Sequence, residues 1–434
     1  MKENSSKSSK SSGKKSEPKS KKNPKQKHIL KVVFDPGTSL SKILYVLDDG
    51  TVKQMVMNSE YLLLPSESAE SLPVDSGMGK PEDNAWVRLS PNEDCHAVGT
   101  VAKNYRGTFG IKKLKQESLI FKVLATVGAI AQTLNLETRF QLELGVLLPY
   151  SEYAKGKESK EKLEEALSNF LFQTKKLNVK LTRFAVLPEG YGIARNHSKN
   201  DYLNGFKEEN TVVIMAGFRN TSCLFFRQGT FSKSESGTTD LGFYTVIDKL
   251  IEKVPGLTRS DFLKSLSSEY KEDNWIDGNY DYERVSINFS YLAKELKNMG
   301  SEECARISQE IEAIEKAYTL CLKEYCILLQ NWLEETLPKQ SDIDTLIFAG
   351  GSYDLLSDWW SSYLINSEIR VLENQMESNL TRQLFHSDRT GLKGFVKDNL
   401  ASRFADAWGF FLHFAEYDCD LIYRDDVEKE VTHG

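Results

Sequence analysis

The segment DPGTSLSK (35–42) gathers a carboxylate, a glycine, three hydroxyls and a lysine into eight residues. At the end of a strand, Asp35 would face whatever lies beyond the sheet, and Gly37 lets the backbone turn and come close to a ligand. Thr38, Ser39 and Ser41 bring hydroxyls with neighbouring N–H groups, and Lys42 brings a point charge. Such a set can cradle phosphate oxygens while Asp35 holds Mg²⁺ through water. An ordinary tight hairpin has the same composition, so the segment alone does not decide. Two further segments add weight. In VIMAGFRNTS (213–222), Gly217 is followed by Asn220, Thr221 and Ser222, and the apolar run DTLIFA (344–349) ends in Gly350-Gly351. Three glycine-bearing turns, each after an apolar run, favour one composite ligand site over three unrelated turns.

These turns need strands to hold them. LKVVF (30–34), KILYVL (42–47) and TVKQMVM (51–57) read as a three-strand meander with a DDG turn at 48–50. Residues 65–95 are polar and read as loops of a small inserted subdomain. Between 115 and 136 the apolar positions Leu119, Ile120, Val123, Leu124, Val127, Ile130 and Ala131 recur at helical spacing. ELGVLLPY (143–150) and RFAVLPEGYG (183–192) read as strands around an amphipathic stretch, LEEALSNFLF. TVVIMAGF (211–218), a turn at RNTS and CLFFRQG (223–229) form a second strand–turn–strand unit. Thr239 and Asp240 are placed to cap a helix over about 241–254. Residues 258–335 read as mostly helical, and the last helix as 399–416. A shift of 180 residues lays Gly37 on Gly217, so the two hairpins echo each other. A duplicated fold with a cleft between its copies follows.

Composition narrows the classes. With 434 residues, 40% apolar and 27% charged, the chain can form two to three domains or one large two-lobed fold. No apolar stretch reaches the roughly 18–20 residues of a membrane span, and the basic N-terminus lacks the apolar region of a secretory signal. The six cysteines are scattered without paired CxxC motifs, which suits reduced, buried thiols in a cytoplasmic protein. The six histidines show no HxxxH or HExxH, which speaks against zinc. Trp359-Trp360 and Trp408 with Phe410 and Phe411 read as core. Residues 1–27 hold ten Lys against two Glu, a charge of +8, so the net −6 leaves −14 on the rest. That Lys/Ser-rich tail is too poor in apolar residues to order itself. It is either a solvated tail or a salt-sensitive tether to DNA or an anionic membrane surface.

The sequence resembles the actin-like ATPases, specifically the ParM/StbA plasmid-segregation branch, over about 29–420. DPGTSLSK resembles the first phosphate loop, VIMAGFRNTS the second, and LIFAGGSYDL (346–355) the adenosine loop. AVLPEGYGIA (185–194) and RFADAWGFFL (403–412) are similar to the two interdomain connectors, and GVLLPYSEY (145–153) to a strand and turn of this branch. The resemblance implies an α/β, ribonuclease H-like fold of two duplicated lobes, each with a five-stranded sheet, around a nucleotide cleft. It implies a tail over 1–28, a first domain over 29–188 with an insert at about 58–115, a second domain over 189–398, and a final segment over 399–434 returning to the first. ATP with Mg²⁺ is the implied ligand, with GTP left open. Asp35 would organise the magnesium waters, Gly37 to Lys42 would hold the β- and γ-phosphates, Glu189 would orient the attacking water, and Gly350 and Gly351 would flank the adenine. The second phosphate loop departs from the pattern, with Met215 where the branch has Asp. Nucleotide binding should survive that change, while hydrolysis should slow.

The implied partners are further copies of the chain, in head-to-tail filaments, and a DNA-binding adaptor of the ParR type. The implied location is the cytoplasm, with membrane-proximal filaments as one variant. A long-lived cortical or cytoskeletal scaffold filament is the structural alternative, and Met215 favours it. A sugar or acetate kinase of the same superfamily fold is the enzymatic alternative. It needs a catalytic Asp facing a substrate hydroxyl, and no signature for one is evident. A chaperone of the Hsp70 type would need a substrate-binding domain beyond residue 420.

Overall fold

The structure is a computed structural model that describes residues 28–416, except 49–51, 75–78, 109–114, 201–204, 274–279, 296–303, 354, 357–358, 360–369 and 373–401. The expected basic tail, Trp360, Cys419 and the first residues of the expected last helix lie outside the described residues.

Two sheets repeat one wiring. In the first, β1 (Ile29–Asp35), β2 (Leu40–Leu47) and β3 (Lys53–Asn58) form an antiparallel meander. β7 (Arg139–Leu148) then lies parallel to β1, and β9 (Lys175–Pro188) parallel to β7. In the second, β10 (Thr211–Ala216), β11 (Thr221–Arg227) and β12 (Thr230–Thr239) form the meander. There β15 (Thr345–Ala349) runs parallel to β10, and β16 (Arg370–Leu372) parallel to β15. The orders β3-β2-β1-β7-β9 and β12-β11-β10-β15-β16 are the same order of first to fifth strands. The echo between Gly37 and Gly217 is therefore a repeated hairpin at the same place in each sheet.

The first sheet does not stop at five strands. β9 is long enough to pair twice: its residues 178–188 pair β7, while 175–177 pair β8 (Phe170–Phe172). From β8 the sheet continues through β5 (Trp86–Arg88) and β6 (Cys95–Val98) to β4 (Tyr61–Leu64), nine strands in all. The polar insert is thus partly strand, pinned by Trp86, Cys95 and Ala97 in a small core of its own.

Helix Lys115–Thr133 buries Leu119, Val123, Leu124, Val127 and Ile130 on one face of the first sheet. The C-terminal helix Ala405–Glu416 covers the other face, with Trp408, Phe410 and Phe411 against Val33, Leu44 and Leu147. Helices Tyr244–Lys253 and Cys304–Thr336 cover the second sheet. The described cysteines 95, 223, 321 and 326 are free and buried. Among the described residues no helix is long and apolar enough to cross a membrane.

Three local readings are corrected. The region expected to be helical contains the hairpin β13 (Leu266–Asp273) and β14 (Tyr280–Ile287). Its tyrosines, valine and isoleucine favour strands, and Asp277-Gly278, a hairpin-turn signal, stands between them. Thr239 and Asp240 do not cap a helix. Thr239 ends β12, and the helix begins at Tyr244 after Phe243, which gives no side-chain cap. The last helix begins at Ala405, after a short 3-10 turn at Ser402–Phe404.

Candidate functional site

The ends of β1, β9, β10 and β15 converge on one cleft of about 280 Å³, near the lower end of ligand-pocket sizes. Its wall brings together Asp35, Gly37, Thr38, Ser39, Lys42, Glu189, Gly217, Asn220, Gly350 and Gly351, together with Met215. Ser41, Thr221 and Ser222 are not part of it. Ser41 and Lys42 are adjacent on β2, so their side chains leave opposite faces and only Lys42 reaches the cleft. β11 starts at Thr221, two residues earlier than a turn at RNTS allows. Thr221 therefore donates its hydroxyl to the Leu241 carbonyl (2.7 Å), and Ser222 shares a hydrogen bond with Thr238 (2.9 Å).

Each hairpin turn is closed by its own backbone: Gly37 N–H donates to the Asp35 carbonyl (2.9 Å) and Gly217 N–H to the Asn220 carbonyl (3.0 Å). Gly350 has φ +104°, and a Cβ there would lie 2.4 Å from the Ala216 carbonyl oxygen. Only glycine lets this third loop sit so tightly on the end of β10. Ser352 N–H donates to that same carbonyl (3.1 Å), so the second and third loops are tied together.

The charges are arranged in pairs. Asp35 is 4% exposed and meets Lys42 at 2.5 Å across the hairpin. Glu189, just beyond β9, pairs with Lys115 at the start of helix Lys115–Thr133. Burial pushes the Glu189 carboxyl up, and the Lys115 ammonium works against that shift. Arg219, in the second hairpin turn, pairs with buried Glu152 of helix Tyr150–Glu158 at 2.5 Å, a buried ion pair joining the two halves. Arg403 donates to the Ser39 hydroxyl at 2.7 Å. The cleft wall thus carries four cations (Lys42, Lys115, Arg219, Arg403) against two carboxylates (Asp35, Glu189) among the described residues. Two buried donors there, Asn220 Nδ2 and Arg403 Nε, have no acceptor among the described residues. Buried donors without acceptors are costly, and both would be satisfied by an acceptor-rich anion. The cleft is also lined by the apolar side chains of Phe243, Ile247, Leu263, Leu266 and Leu355. Cations and apolar side chains lining one cleft suit a molecule with phosphates and a flat ring.

The residues also fit magnesium of the kind that accompanies phosphates. Mg²⁺ keeps most of its waters and takes one or two carboxylates plus phosphate oxygens, and Asp35 is the carboxylate within the first turn. Among the described residues no group of three His, Cys, Asp or Glu forms a self-sufficient metal cage.

Behind Glu189 the chain turns into helix Tyr191–Asn200, whose first backbone N–H groups are capped by Asp406 of the C-terminal helix. Asp406 accepts from Gly190 (2.7 Å), Gly192 (2.8 Å) and Ile193 (3.3 Å). The two helices cross so closely that a Cβ on Gly192 would lie 1.9 Å from the Asp406 carbonyl oxygen. Burial pushes the Asp406 carboxyl up to about 7, against the Gly190 hydrogen bond and with Asp35 and Glu189 adding to the rise. An unfolded aspartate titrates near 4. The folded state therefore holds the extra proton between these values, and the stability this group contributes is lost as pH rises through about 7. Melting temperature should fall between about pH 4 and 7 in the native chain and level off above that. Asp406→Asn should melt lower at pH 6 but lack this component of the slope, and equal slopes in differential scanning fluorimetry would contradict the assignment.

Lys115, Arg219, Arg403 and Asp406 escaped the sequence reading. Arg403 and Asp406 had a signal: they are the two charges in the otherwise apolar RFADAWGFFL, and a charge within a buried run needs a partner. Lys115 had none, because it reaches Glu189 only through the fold.

No protein-family model matches the sequence, and no curated protein matches it. Solved structures do. The chain is similar to the ParM subunit of a 15-stranded filament from Clostridium botulinum, with 16% identity, a TM-score of 0.51, and coverage of 89% of this chain and 99% of that one. It is similar to an archaeal actin homolog with 15% identity, a TM-score of 0.53, and coverage of 89% and 99%. At these identities the likeness is one of fold: an actin-like, two-lobed α/β fold, as the sequence resemblance implied.

Proposed function

We propose that the chain binds ATP·Mg²⁺ in the cleft and assembles head to tail into nucleotide-dependent filaments. We further infer that these filaments move plasmid or other DNA cargo through an adaptor of the ParR type. The observation that carries the nucleotide reading is the pair of equivalent hairpins facing one cleft, with cations in excess and two buried donors lacking acceptors. Filament assembly is supported by the shared fold with a ParM that itself forms a filament, and the DNA cargo by the resemblance of the loops and connectors.

In this reading Asp35 would hold Mg²⁺, whose contribution would be to neutralise phosphate charge. Lys42 lies where phosphate oxygens would draw it from Asp35, while Lys115 stays paired with Glu189. Glu189, kept ionised by Lys115, would accept a hydrogen bond from the attacking water. A triphosphate grips both hairpins, so it favours the closed arrangement of lobes, and that differential affinity drives assembly. Light scattering and electron microscopy with ATP, GTP, ADP and no nucleotide test this reading. Scattering that stays flat with every nucleotide, at tens of micromolar protein, would remove the filament.

Met215 supports a variant in which the filament is long-lived. Its side chain lines the cleft with Cγ against Gly190, one residue from Glu189, and a thioether cannot hold a water as a carboxylate does. Met215→Asp should raise phosphate release roughly ten-fold by fixing the water with a second acceptor, and should shorten filament lifetime. An unchanged rate would mean that position 215 does not limit turnover.

A further inference from the structure

Arg403 lies on the 3-10 turn Ser402–Phe404, outside both hairpins, yet its guanidinium reaches into the cleft between them. One Nη2 donates to Ser39 in the first loop at 2.7 Å, and a Cβ on Gly351 in the third loop would lie 3.4 Å from the same nitrogen. The guanidinium thus touches a loop of each lobe. Its Nε is buried with no acceptor, and among the described residues no carboxylate pairs with it. Arg403 is half-buried and hydrogen-bonds one neutral hydroxyl, so its buried Nε is under-satisfied. Its planar fork is shaped for two oxygens of one phosphate, and the Asp35 carboxylate of the same wall acts on it without an ion-pair contact.

We propose that Arg403 is a phosphate-binding residue of the cleft, taking two oxygens of a nucleoside diphosphate group between the first and third loops. This rests on the nucleotide reading above. The consequence reaches the lobe junction. Arg403 is three residues before Asp406, which caps the helix following Glu189. A phosphate that fixes Arg403 also fixes the turn from which that cap is delivered.

The test uses the full chain and fluorescent methylanthraniloyl derivatives of ADP and ATP with Mg²⁺, titrated into wild type, Arg403→Gln and Arg403→Lys, with ligand-free melting temperature measured alongside. Arg403→Gln should lose at least ten-fold in affinity for both nucleotides while melting as the wild type does. Arg403→Lys should recover part of that loss, because it restores charge without the fork. Wild-type binding with unchanged affinity in Arg403→Gln would overturn the proposal and leave the nucleotide reading intact, as would a loss that Lys does not relieve. A wild-type chain that binds neither nucleotide would remove both. A Gln variant that melts lower and binds weakly is judged by the Lys variant, whose affinity must then exceed that of Gln at equal melting temperature.

Discussion

Asp35→Asn is expected to abolish the benefit that Mg²⁺ gives to ATP binding, lowering affinity in its presence by roughly 100-fold, or about 3 kcal/mol. Asp35 is buried at the end of β1 and pairs with Lys42 across the hairpin. In the proposed complex the two separate, the carboxylate going to the metal waters and the ammonium to a phosphate. Asn keeps the shape and one acceptor oxygen but not the charge, so the metal loses its anchor. Lys42, relieved of its counter-ion, should then attract bare triphosphate at least as well as before. The signature is therefore a reversal: calorimetric titrations of the variant should show equal or tighter ATP binding in EDTA than in Mg²⁺, and wild type the opposite. Removing one partner of a buried pair also destabilises, typically by about 3–5 kcal/mol when both ions are fully buried. Lys42 keeps 14% exposure, so the cost should be smaller and the variant should fold. Identical Mg²⁺ dependence in both proteins would exclude Asp35 from the site.

Much of this arrangement is legible in residue order. Apolar runs ending in Asp35, Gly217 and Gly350 place three turns, and a sheet that repeats its wiring brings them to one cleft. What residue order hides is which face a side chain takes and what reaches in from a distance. Ser41 and Ser222 belong to the right segments but point away, because a one-residue step on a strand reverses direction. The fate of Thr221 turned on where β11 begins, a boundary shift of two residues that composition does not mark. Lys115 and Arg403 lie 74 and 364 residues from the side chains they bond, so no local window contains either contact. The additional strands β4, β5, β6 and β8 extend the first sheet because β9 outruns β7, a matter of relative strand length.

The second large effect concerns the buried pair of Glu189 and Lys115. Glu189→Gln should reduce hydrolysis by ~10²–10⁴-fold, the range of a positioned acid or base, while leaving ATP affinity within a few-fold. Its sharper counterpart is Lys115→Met, which keeps the stem of the side chain and removes the ammonium. Burial already raises the Glu189 carboxyl, and Lys115 is the chief influence holding it down. Without that cation, the nearby negative charge of Asp35 and the burial act together, and the carboxyl rises further. A protonated Glu189 cannot accept a proton from water, so the acid limb of the pH–rate profile should move to higher pH. In a purely structural role for the pair, both variants would lower stability and leave the profile's position unchanged. If Lys115 instead serves only to bind phosphate, Lys115→Met would raise the ATP concentration needed for half-maximal rate without moving the limb. A shifted limb in Lys115→Met, together with a rate in Glu189→Gln that no pH restores, is the result expected of a connector glutamate that acts on water and a lysine that sets when it can.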